Sequence, residues 1–363
     1  MRLLASCLVC SLALAPTVFA QSGTSRYLYM STPDGAQELG RAEGAGILVF
    51  DIDDDHRLVR RIDIPIFAEG LRGFAGNLET HSVVYSTTNR RLGAFNLETE
   101  QKIWEQTYDA GCDRSSITLD GSKIYAPTGW WYKGDDSGML VVDASNGDLI
   151  DRIEVGPAAH NSIVSLDGDR LYLGTDTMLS IFDTKTDELV GQIRDVGERG
   201  VFPYTLTRDE STAYVCLGAH VGFDVIDLKR LERTHRVFAG DEKITHRTHG
   251  VALNPDETEL WISDQEGQKL FIFDATETPP AQTGRVELSQ GGHGWVAFSL
   301  DGRYAWSHAP DIFDARTKER IGAFRDEQGR PVSGSKYLEI HFRDGKVVAM
   351  GHEFGLGRKK GST

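Results

Sequence analysis

Cysteine is scarce in this chain, with four in 363 residues, and two of them, Cys7 and Cys10, fall within the first twenty positions. The other two, Cys112 and Cys216, are too few for a disulfide framework, so stability has to come from a packed core. Beyond residue 20 no apolar run approaches the roughly 18 residues that a membrane helix requires, so no membrane insertion is expected of the mature chain. Positive charge is also in deficit: 39 Lys and Arg against 54 Asp and Glu leave a formal charge of −15. An acidic surface repels phosphate backbones and anionic lipid, which sets nucleic acid aside as a partner and leaves small molecules and proteins. There is no Cys-x-x-Cys-His haem attachment motif, no Gly-x-Ser-x-Gly elbow and no phosphate-binding glycine loop between a strand and a helix. The 40% apolar and 9% aromatic content is that of an ordinary globular protein.

Residues 1–20 carry one early cation, Arg2, an apolar stretch over 3–15, and Val18, Phe19 and Ala20 ahead of Gln21. That pattern reads as a signal peptide cut after Ala20, which places the mature protein in the periplasm or outside the cell. Residues 21–357 then form one domain, with 358–363 as a disordered tail.

Internal repetition is the strongest signal. The stretches 116–127 (SITLDGSKIYAP), 161–174 (NSIVSLDGDRLYLG), 250–263 (GVALNPDETELWIS) and 296–307 (VAFSLDGRYAWS) each read as a short strand, an Asp-Gly or Asp-Glu hairpin turn, and a second strand with an aromatic. A third strand follows and ends in Asp143, Asp183, Asp227, Asp274 or Asp314. First strands begin near Arg72, Arg114, Asn161, Pro203, Gly250, Trp295 and Tyr337, seven starts spaced by about 42 to 47 residues. Four antiparallel strands at that period specify an all-β fold, a seven-bladed β-propeller. The N-terminal part lacks a first strand and the stretch from Tyr337 has no blade after it, so the two chain ends are expected to share blade one and close the ring. Residues 26–31 and 346–351 both fit that blade's second strand, and the pattern does not choose between them.

The repeat resembles the YVTN, or YncE-like, seven-bladed propellers of the quinoprotein amine dehydrogenase β-chain-like superfamily, although the literal Tyr-Val-Thr-Asn string is absent. The resemblance spans nearly all of the mature chain. It implies an exported propeller, in a superfamily that includes large subunits of periplasmic amine dehydrogenases, lactonase-like enzymes and proteins without known activity. Blade grammar is specific for fold and nearly silent on chemistry.

Register converts into location, because residues opening each first strand ring one mouth of the central channel. Counting back seven from the hairpin acids yields Asp113, His160, His249, Tyr337 and Arg72, with His293 one residue out of step and Phe202 and Tyr204 serving blade five. Three imidazoles, His160, His249 and His293, would give a divalent transition metal (zinc, copper, iron or manganese) nitrogen ligands with open positions. Without metal, a histidine would act as general base beside Asp113, Arg72 or Arg114 stabilising a carboxylate or enolate, and Tyr204 or Tyr337 donating a proton. Loops on the same face add Trp130, Trp131, His220, His246 and His308 as walls of a small-ligand pocket. The expected function is therefore a channel-mouth site for a small organic substrate, with lyase, hydrolase or oxidoreductase chemistry. The alternative is a non-catalytic binding or scaffold subunit of a periplasmic redox enzyme or surface complex, with a protein partner at that face.

Overall fold

The computed structural model describes residues 23–31, 46–64, 70–87, 90–130, 132, 134, 137–176, 178–240, 243–292 and 294–358. The expected signal peptide, Trp131 and His293 lie outside these residues.

Among the described residues the secondary structure is β only, in seven antiparallel sheets. The innermost strands of blades two to seven are Leu71–Asn77, Ser116–Ile117, Ser162–Val164, Tyr204–Leu206, Thr248–Leu253 and Val296–Phe298, each within a few residues of its expected start. Two side-chain devices repeat around the ring. At the first hairpin, Asp120 accepts the Thr118 hydroxyl at 2.6 Å and the Ser122 N–H at 3.0 Å, and Asp167, Asp209 and Asp301 do the same in their blades. At the end of every third strand, an Asp or Asn side chain accepts the N–H two residues on: Asp51, Asn96, Asp143, Asp183, Asp227, Asp274 and Asp314. Such short polar side chains mimic a backbone turn, which is why the sequence marks each turn with them.

Just before these caps, the pairing of third and outer strands slips at a bulge in all seven blades, between Val141 and Val142 for example. A bulge increases local twist and suits an outer strand turning away from the axis. The third strand Gly138–Asp143 is buried along nearly its whole length, whereas its outer neighbour Leu149–Glu154 is largely exposed. Core side chains pack between blades; Tyr29, Phe74, Tyr85 and Leu338, for instance, join blades one and two.

Blade one settles how the ring closes. Its sheet runs, from inside outward, Lys346–Gly351, Lys336–Arg343, Ser25–Ser31, Ile47–Asp51 and Arg57–Ile62. Ser25–Ser31 is thus the second strand, with Tyr27 opposite Ile340 and Tyr29 opposite Leu338. Lys346–Gly351 pairs with the opposite edge of Lys336–Arg343, a fifth strand on the channel side. Residues 352–358 continue into the channel. The Arg358 side chain is buried and donates to the Leu206 carbonyl at 2.8 Å and to Glu257 at 3.0 Å.

Candidate functional site

The connections into each first strand and the loops after each second strand share one face, opposite the Asp-capped first hairpins. On this upper face an arc of rings crosses the channel mouth. His160 lies 5.6 Å from Trp130, Trp130 lies 4.8 Å from Phe202, Phe202 lies 5.9 Å from His249, and His249 lies 5.2 Å from Trp295. Blades three to seven each contribute, so His160 and His249 share one apolar wall although 89 positions apart in the chain. His249 is buried, held where the Gly250 backbone lies against the Gly294 carbonyl so closely that a Cβ at Gly250 would overlap it.

One end of the arc is charged. Asp113 is buried, and its carboxylate accepts from His160 Nδ1 at 2.9 Å and from the Trp130 N–H at 3.1 Å, with the Arg72 guanidinium 3.9 Å away. Gly129, at φ +118°, turns the loop so that the Trp130 N–H meets this carboxylate. Burial by itself would push the Asp113 carboxyl up, but His160, Arg72 and the Trp130 N–H outweigh it and hold the carboxyl below its usual range. An ionised carboxylate only accepts, so His160 donates through Nδ1–H, and its neutral form keeps the lone pair on Nε2. Arg72 is partly exposed, its Nε has no partner among the described residues, and it lines a recess of about 190 Å³ with Arg90 and Tyr132.

At the other end, the chain terminus builds a plug below the mouth. Arg114 pairs with Glu353, both buried, and its guanidinium lies 4.1 Å from the Trp295 ring and 3.8 Å from the Phe354 ring. Lys336 is buried with Nζ 4.6 Å from the Trp295 ring. The strand-opening pattern singled out Arg114. Glu353, Phe354 and Lys336 went unrecognised, because residues 346–351 were weighed as a blade strand and nothing marked the following turn as channel-directed.

The other expected site residues sit elsewhere. Tyr204 and Tyr337 are fully buried, with hydroxyls on the carbonyls of Asn161 at 3.4 Å and Ser307 at 2.5 Å. Burial pushes both phenols well up, and both side chains pack in the core of their strands. His308 is also buried, beneath Gly292, where a Cβ would lie 2.5 Å from the imidazole. His220 is clamped by both carboxylate oxygens of Glu198 at 2.9 Å, and His246 by Asp264 at 3.1 Å. Trp131 and His293 lie outside the described residues. Among the described residues, no three His, Cys, Asp or Glu side chains come together as a metal-holding group.

No protein-family model matches the chain, and no curated protein matches it. Solved structures do. The β-propeller domain of Cps50 (Swd1) from Myceliophteria thermophila is 12% identical, with a TM-score of 0.60 over 72% of this chain and 86% of that one. Hydrazine synthase from Kuenenia stuttgartiensis is 14% identical, with a TM-score of 0.45 over 71% of this chain and 96% of that one. At these identities the likeness concerns the fold alone. The chain is a seven-bladed β-propeller.

Proposed function

We propose that the upper mouth binds a small organic molecule against the Trp130 and Phe202 rings and that His160 acts on it as a general base through Nε2. The observation that carries this reading is the buried Asp113 carboxylate on His160 Nδ1, at 2.9 Å. Such a pair fixes tautomer and ring orientation and stabilises the imidazolium that forms when a proton is taken. Arg72, beside the same carboxylate, supplies a cation for a substrate carboxylate or for the enolate formed by proton loss. This combination suits β-elimination from an acidic substrate or opening of a lactone. An exported location and membership of the YVTN-like propellers belong to the same proposal, supported by residues 1–20 and by the blade repeat.

The test is turnover of a panel of small lactones and acidic sugars bearing a β leaving group, together with metal analysis of the purified protein. His160→Gln should lower turnover about 10²-fold or more while leaving the melting temperature in place. Stoichiometric metal that is lost in both His160→Ala and His249→Ala would recast the imidazoles as ligands of a divalent transition metal. Binding without turnover in the wild type would favour the non-catalytic subunit.

A further inference from the structure

Below the Arg114 plug, on the side of the Asp-capped hairpins, the channel contains a cavity of about 300 Å³ that the upper-face site does not use. Its origin is the asymmetric path of the chain end. Residues 352–358 lean toward blades five to seven: Arg358 bonds to Leu206 and Glu257, and Gly357 lies against Leu300. The opposite half of the channel is left open, walled by the inner strands of blades two to four and roofed by His352, Phe354 and Leu356.

The walls are mainly apolar, with Phe74, Ile117, Ile163 and Val164 among them. Two polar groups stand out. Ser115 is 4% exposed, lines the cavity, and its hydroxyl has no partner among the described residues. His352 accepts the Phe354 N–H at Nδ1, 3.1 Å, so its proton lies on Nε2 as a donor for the cavity it lines. His352 is deep in the molecule but keeps part of its surface toward this space, and burial lowers its pKa to about 4, so it stays neutral. The nearby cation, Arg114, is already neutralised by Glu353. The rim carries two exposed leucines, Leu78 and Leu119.

We infer that this cavity is a second binding site, entered past Leu78 and Leu119, for a small uncharged and largely apolar molecule bearing one hydrogen-bond acceptor. Apolar walls with a few convergent polar groups define a pocket for such a ligand, and a space of this size is at the lower end of small-molecule sites. In this reading the Ser115 hydroxyl and the His352 N–H serve the acceptor, and the aliphatic and aromatic walls take the remainder. A charged ligand would leave water for mainly apolar walls, because Arg114 is already paired and the Glu79 carboxylate is exposed to solvent, so an uncharged ligand is favoured.

Acetophenone, a compact aromatic with one carbonyl, is the probe, and ethylbenzene is its counterpart without an acceptor. Titration calorimetry on the wild-type protein should show one acetophenone site with a Kd between about 10 µM and 1 mM, and ethylbenzene binding about five- to tenfold more weakly. Val164→Phe, which fills the space from a half-buried position, and Leu119→Trp, at the exposed rim, should each weaken both probes about tenfold or more. Ser115→Ala should reduce the preference for acetophenone while leaving ethylbenzene unchanged. Absence of saturable binding to the wild type, or unchanged binding in both filling variants, would mean a water-filled channel and overturn the inference. An unchanged preference in Ser115→Ala would remove the polar half of the recognition. None of these readouts depends on turnover at His160.

Discussion

His56 makes the stability of the ring sensitive to acid in a way that can be worked out quantitatively. Its imidazole is buried, packs edge-on to Tyr304 at 4.7 Å, and accepts the indole N–H of Trp306 at Nε2, 3.0 Å. A nitrogen that accepts that bond cannot also carry a proton. Burial comes first among the causes that lower its pKa to about 4, the charges of Arg26 and Arg303 add to it, and Asp53 opposes them. In the unfolded chain the group returns to 6.5. The folded state therefore keeps His56 neutral while the unfolded chain takes up a proton. Stability from this group is complete above about pH 6.5 and is lost as the pH falls toward 4, by about 3 kcal/mol at the end of that window. His56→Asn tests it, since Asn tolerates the positive φ of 54° at this position and offers a neutral acceptor. Urea unfolding midpoints should be recorded for both proteins between pH 7.5 and 4. The variant should be weaker by about 1 to 3 kcal/mol at neutral pH, through the lost packing and the altered bond. It should then lose less stability than the wild type on acidification, so that the two curves converge. Carboxylates and His352 titrate in both proteins and cancel in the difference. Parallel curves would refute the argument.

Three further outcomes follow from the same structure. Deleting residues 335–363 removes the strand that pairs with Ser25–Ser31 and buries Leu338 and Ile340, so the protein should aggregate or lose several kcal/mol, on the order of a core-strand deletion. Deleting only 344–363 keeps that strand; water then reaches Arg114 through the opened channel, and the thermal melt should show the smaller loss of the two. Asp113→Asn places an amide against His160 Nδ1, removes the constraint on the tautomer, and should cut any His160-dependent turnover about 10²-fold or more, with nitrogen NMR reading the imidazole directly. Cys112 and Cys216 are buried thiols outside any disulfide, so thiol titration of the protein beginning at Gln21 should count two thiols when unfolded without reductant and close to none when folded; a count of none after unfolding would contradict the blade register.

How much of this was legible in advance depends on whether a feature is local. Hairpin acids, third-strand caps and the period of inner strands are decisions made within a few residues, because an Asx turn needs only its own backbone to form. The all-β class, seven blades and the shared first blade could therefore be read from residue types and counting, and counting also placed Asp113 and His160, 2.9 Å apart, at neighbouring strand openings. One further signal was present: Tyr29 matches Tyr125, Tyr172, Tyr214, Trp261 and Trp306 at the second-strand position opposite the bulge, with Tyr85 one residue out of step in blade two, which singles out Ser25–Ser31 over Lys346–Gly351.

Other features depend on side chains from distant blades competing for one space. Tyr204, Tyr337 and His308 open strands or loops at the mouth as the counting expects, yet the space inside the rim takes them into the core. Whether an inner-strand side chain points to the channel or to the neighbouring sheet depends on packing across blades, which no periodicity records. The same holds for the chain end. Lys346–Gly351 can pair with either edge of a strand, and the edge facing the next strand of blade one is already taken by Ser25–Ser31. Only the channel edge remains, and that choice brings Glu353 to Arg114, turns His352 toward a cavity, and leaves half the channel open.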